Sequence, residues 1–77
     1  MYGVTDMARK LEEASRIILS ALDAARKRGE EHEEFYKRAA DAYVSAVSAI
    51  HYMRAYGKID PKTYEEIDKN LREELGL

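Results

Sequence analysis

The chain contains no cysteine and no tryptophan, and its 77 residues include a single proline and a single phenylalanine. Without cysteine there is neither a disulfide nor a thiolate zinc site to staple a chain this close to the lower size limit for a self-sufficient core. Stability must come from helix packing, with oligomerisation as a further source. Long apolar runs are missing as well. The longest strongly apolar run, Ile17-Ile18-Leu19, is far short of the roughly 20 residues that span a bilayer. The opening MYGVTDMARK lacks the apolar segment of a secretory signal, so a cytoplasmic setting is expected. Charge of one sign is also lacking. Fifteen acids against 13 bases give a formal net charge of −2, which exerts no global pull on nucleic acid or anionic membrane.

What is present is the vocabulary of helices. Roughly half the residues are Ala, Glu, Lys, Leu or Arg, and no stretch alternates as a strand would. The expectation is a single all-α domain over residues 1–77. Its organising stretch is Glu33 to Tyr56, which has neither Gly nor Pro. One row, Tyr36, Ala39, Tyr43, Ala46, Ile50 and Met53, recurs in steps of three and four, and a second row, Ala40, Val44, Val47 and His51, lies beside it. Two adjoining rows predict a central helix with neighbours on two sides.

The boundaries predict helices over about 5–28, 31–56 and 61–75. Met1 to Val4 form a short disordered lead, and Thr5 or Asp6 is placed to cap the first helix. Met7, Leu11, Ala14, Ile18, Ala21 and Ala25 form its seam, widened by Ile17 and Leu22. Arg26, Lys27 and Arg28 suit a carbonyl end, and Gly29 suits a left-handed cap. Glu30, Glu31, Glu33 and Glu34 then suit the start of a second helix, so RKRGEEHEE reads as the corner of a hairpin. One continuous helix through Gly29 is the alternative, since a single Gly costs only about 1 kcal/mol. Gly57 caps the second helix. Asp60 and Pro61 open the third, with Ile59 and Tyr64 at staple spacing, and Tyr64, Ile67, Leu71 and Leu75 form its stripe up to Gly76. Acids precede bases by four in Glu12–Arg16, Asp23–Lys27, Glu33–Lys37, Glu34–Arg38, Glu65–Lys69 and Asp68–Arg72. So dense a pattern fits a thermostable or designed protein. The fold expected is an antiparallel three-helix bundle, two long helices in a hairpin and a shorter third.

The third helix, at about 22 Å, is shorter than the other two at about 35 Å. Folded back beside the end of the second, it covers Val47, Ile50, His51 and Met53. That leaves Leu22, Phe35, Tyr36, Ala40 and Val44 near the corner as an open apolar patch for a second copy of the chain or a helical peptide.

Chemistry is sparse. His32 and His51 are the only histidines, and about 28 Å of helix separates them, so only an antiparallel dimer brings His32 of one chain to His51 of the other. His51 reads otherwise as a half-buried packing residue. There is no Glu-x-x-His pair, no HExxH and no Arg-x4-His of the small helical ribonucleases. Ser48 and His51 are three apart, but no oxyanion pocket accompanies them. Ser45 and Ser48 read as a solvent face or as a small-residue stripe that admits a close helix. Arg26, Lys27, Arg28, Lys37 and Arg38 gather near Phe35 and Tyr36, a composition that grips single strands, but four glutamates share the corner. Tyr43 and Tyr64 are placed in the core and Tyr52 and Tyr56 at a rim. Over Tyr36, Ala39, Ala40 and Tyr43 alone, without a specific motif, the segment after the Gly corner resembles microtubule-interacting-and-transport modules and single tetratricopeptide units. That resemblance implies a groove for helical peptides. The reading is a non-catalytic interaction or self-association module without metal or cofactor. The alternatives are a designed scaffold without biochemical activity and a small nucleic-acid-binding helical protein.

Overall fold

Glycine at residue 29 turns the chain where the sequence predicts a corner. The computed structural model describes residues 3–76, and among these α1 runs Val4–Lys27, α2 Glu34–Tyr56 and α3 Pro61–Leu75, with no strand. The architecture is the expected antiparallel three-helix bundle, and the continuous helix through Gly29 is excluded. Gly29 sits at φ 76°, the left-handed region open to a residue without Cβ. Its N–H donates to the Arg26 carbonyl at 3.0 Å and the Glu30 N–H to the Ala25 carbonyl at 2.9 Å. Those two bonds are the paired closure of a Schellman cap.

Two helix starts differ from expectation. Helix α1 begins at Val4 with Gly3 as N-cap, and the Gly3 carbonyl accepts the Met7 N–H at 3.1 Å. Thr5 and Asp6 therefore lie inside the first turn and cap nothing; Asp6 instead supplies the acid that suits the dipole. Of the expected disordered lead, Val4 is helical, and Met1 and Tyr2 lie outside the described residues. Helix α2 begins at residue 34, not 31, because the chain uses residues 30–33 as a turn, the Glu33 N–H donating to the Glu30 carbonyl at 3.1 Å. Only Glu34 of the acid block reaches the first turn of α2. The start of α3 is as read. Asp60 accepts the Thr63 N–H at 3.1 Å and the Thr63 hydroxyl at 3.0 Å, and Pro61 occupies the first turn.

The core joins all three helices. It holds Leu11, Ile18 and Leu22 of α1, Ala46, Ile50 and Met53 of α2, and Leu71 of α3. Tyr64, Ile67 and Leu75 pack against it half-buried, as do Tyr43 and Ile59. The α1 stripe is rotated from the expected seam. Ala8, Ser15 and Leu22 are buried, whereas Ala21 and Ile17 are exposed. Ser15 tolerates burial because its hydroxyl donates to the Leu11 carbonyl at 2.6 Å, satisfying itself within its own helix. Alanines at 42, 46 and 49 line the buried side of α2 and let its neighbours approach closely. The result is elongated, 40 × 19 × 15 Å, in keeping with two helices of about 35 Å side by side.

Of the six expected i,i+4 ion pairs, Glu12–Arg16 at 3.4 Å and Asp68–Arg72 at 3.1 Å form. Elsewhere the partner changes. Arg26 meets Asp23, Lys69 meets Glu73 at 4.0 Å, and Arg38 leaves its own helix for Glu74 at 4.0 Å. Arg54 crosses from α2 to Glu12 on α1. These are exposed pairs worth about 0–1 kcal/mol each, so the exchange costs little.

Candidate functional site

The third helix decides which apolar residues remain open. It returns along α2 over its full length of about 22 Å, its last turn lying near Asp41 and Ala42 through Asn70, Glu73 and Glu74. Its line runs along the Ser45, Ala49 and Tyr52 flank of α2. The five residues expected to form an open patch are consequently divided. Leu22 is 7% exposed and belongs to the core, and Tyr36 and Ala40 are half-buried against it. Phe35 and Val44 are exposed, but nine positions apart they project from opposite sides of α2. No single apolar patch forms at the corner.

The opening lies instead along the middle of α2. The second apolar row read from the sequence, Ala40, Val44, Val47 and His51, is only partly covered: Ala40 and Val47 are half-buried, whereas its outer members face solvent. Val44 is 64% exposed, and His51, expected half-buried beneath α3, is exposed. The reason is angular. Helix α3 packs on the flank of α2 opposite this row, so only the first row, Tyr36 through Met53, is enclosed. Shallow grooves border the crest on either side. One, of about 210 Å³, is lined by Leu19 of α1 with Tyr43, Val47 and His51. The other, of about 570 Å³, is lined by Val44, Ser45, Ser48 and Tyr52 with Ile59, Thr63 and Ile67. Ser45 and Ser48 thus sit on a groove wall, where small side chains keep it shallow. At its end Tyr52 and Tyr56 stack obliquely, ring centroids 4.7 Å apart at 45°.

One signal in the sequence marks this crest. Residues 42–53 contain no Asp, Glu, Lys or Arg, although 36% of the chain is charged. The exposed positions that climb α2 in steps of four and three are Lys37, Asp41, Val44, Ser48, His51 and Ala55. Over about 18 Å, between Asp41 and Arg54, that face offers only small, apolar or neutral groups to solvent.

The other candidates resolve into ordinary surface. His32, its side chain 91% exposed, stands 3.9 Å from Glu31 at the corner. Among the described residues no group of His, Asp and Glu is placed to hold a metal ion, and no helix is long and apolar enough to cross a membrane. The basic corner is matched by acids. Arg26 pairs with Asp23, Arg28 with Glu30 and Arg38 with Glu74. Its hydrogen bond to Asp23, and then the nearby Tyr36 and Asp23 charges, hold the Arg26 guanidinium above its ordinary value. A surface hollow of about 760 Å³ sits where the start of α1 meets the end of α2. There Arg9, Arg16 and Arg54 alternate with Glu12 and Glu13, and Glu12 bridges Arg16 and Arg54. Opposite charges of similar number leave no field of one sign in it.

Comparison with family models, with curated proteins and with solved structures returned no match.

Proposed function

We propose that this protein is a non-catalytic interaction module whose working surface is the outer face of α2, and that the surface receives another α-helix. The observation that carries the reading is that the exposed residues within 42–53, Val44, Ser45, Ser48, His51 and Tyr52, are all uncharged in a chain that is 36% charged. Soluble helices ordinarily place Lys, Glu and Arg on their outer faces, as α1 does with Lys10 and Glu13 and α3 with Lys62, Glu66 and Lys69. An outer row of Val44, Ser48 and His51 does not help to hold this chain's own fold together. It suits a second helix, because small side chains at the crest admit close backbone approach and the bordering grooves accept the partner's larger side chains. Tyr52 and Tyr56 add rigid, amphipathic contact area at one end.

Selection from a displayed library of amphipathic helices tests the reading. Helices that bind the intact chain and are lost on Val44→Glu, with helicity and melting unchanged, are the expected result. A library yielding no binder sensitive to Val44→Glu would refute it.

A further inference from the structure

We infer that the helix received by this face is α2 of a second copy, packed antiparallel about a two-fold axis near Ala46. The inference rests on the interaction reading above and adds the partner and its register. It follows from the order of residues on the crest, Lys37, Asp41, Val44, Ser48, His51 and Ala55, all exposed and spaced four, three, four, three, four. That spacing is a heptad seam, the pattern by which two helices pack side by side. Laid against itself in the same direction, each residue would meet its own copy. Lys37 would oppose Lys37, Asp41 would oppose Asp41 and His51 would oppose His51, so both kinds of charged layer would repel. Reversed, the seam becomes complementary. Asp41 meets His51 of the second copy, Val44 meets Ser48, and Lys37 meets Ala55. A two-fold interface makes each of these contacts twice. Asp41 and His51 cannot meet within one chain, since ten residues put them about 15 Å apart along the helix.

The arrangement also gives Val44 and His51, the exposed members of the second apolar row, a neighbour. Val44 would lie beneath the small Ser48 of the partner copy, with Ala40 and Val47 at the edges of the seam. A single helix crossing falls at the low end of interface size, below about 1,200 Å², so the dimer is of the weak, transient kind.

Sedimentation equilibrium of the full chain up to about 1 mM, the range in which weak association registers, provides the first arm. A monomer–dimer equilibrium is expected, abolished by Val44→Glu. Asp41→Lys and His51→Glu are each expected to raise the dissociation constant at least about tenfold. The double variant is expected to restore it, an outcome available only if the two positions face each other across copies. The second arm exploits the lack of cysteine, since Lys37→Cys carries the chain's single spin label. Antiparallel packing puts the two labels roughly 27 Å apart along the seam, whereas parallel packing puts them roughly 10 Å apart. The short distance, additive single variants or a monomer throughout the range each overturn the proposal. A strict monomer that still binds library helices in a Val44-dependent way overturns the second copy alone. A strict monomer without such binders overturns the interaction reading with it.

Discussion

Ala46 and Val44 are two residues apart on the same helix, yet the structure assigns them opposite fates, and substitution at the two separates those fates quantitatively. Ala46 is 0% exposed and part of the cluster that joins the helices, among the alanines that set how closely α2 approaches its neighbours. Ala46→Leu inserts three carbons where no space is left, an overpacking that costs about 1–3 kcal/mol. A 77-residue domain holds about 4–12 kcal/mol in all, at about 0.05–0.15 kcal/mol per residue. The variant therefore forfeits a sizeable share of stability, seen as a fall of roughly 5–20 °C in Tm. Val44→Leu adds bulk to a side chain facing solvent and stays within about 0.5 kcal/mol of the parent. Urea unfolding followed by circular dichroism, at dilution enough to keep association out, measures both. Equal costs at the two positions, or an Ala46→Leu cost below about 0.5 kcal/mol, would refute the one-sided enclosure of α2 on which the reading of its outer face depends.

Two further outcomes probe the turn that sends α3 back along α2. Asp60→Ala removes the acceptor for the Thr63 N–H and hydroxyl and is expected to cost about 0.5–2 kcal/mol in thermal or urea unfolding, with Asp60→Asn retaining most of the stability. Gly57→Ala meets no atom within 4 Å, so its cost is that of the left-handed backbone alone at φ 68°, about 1–2 kcal/mol, whereas Gly3→Ala at φ −74° in equally open space loses only the N-cap preference for Gly and is expected to cost less, under about 1 kcal/mol, in the same measurement.

Much of the fold was legible because local rules and packing agree there. At Gly29, Gly57 and Asp60–Pro61 the residue type answers a single backbone requirement, a left-handed cap or a first turn without a donor, so composition alone sets the boundary. The start of α2 was less legible because its signal is diffuse. Four glutamates favour a helix start without saying which of them begins it, and after the Schellman closure at Gly29 the chain uses residues 30–33 for the reversal. The α1 seam was misplaced by a serine. The apolar seam passes over Ser15 as a polar residue, but a hydroxyl bonded to its own helix can be buried, so the stripe takes in Ser15 and Ala8 beside Leu22. The site residues were divided for an angular reason. Periodicity identifies rows on a helix, not which flank a later helix will occupy, so helix lengths place α3 over Val47, Ile50, His51 and Met53, whereas it packs on the flank that leaves His51 exposed.

The two-row pattern of α2 nevertheless constrains what the molecule does, because a row's need for a neighbour does not depend on which chain supplies it. Helices α1 and α3 each bury one stripe and carry charge across their backs, the distribution of a helix with partners on one side. On α2 the uncharged arc passes from buried Met53 through Ile50, Tyr43 and Val47 to exposed Val44 and His51, about half its circumference. Only the part up to Val47 meets another helix of this chain. Charge returns at Asp41 and Arg54, the two ends of the exposed segment, as the polar rim of a small interface does. The proposed antiparallel pairing of two copies accounts for both the bounds of this surface and its self-complementarity when reversed.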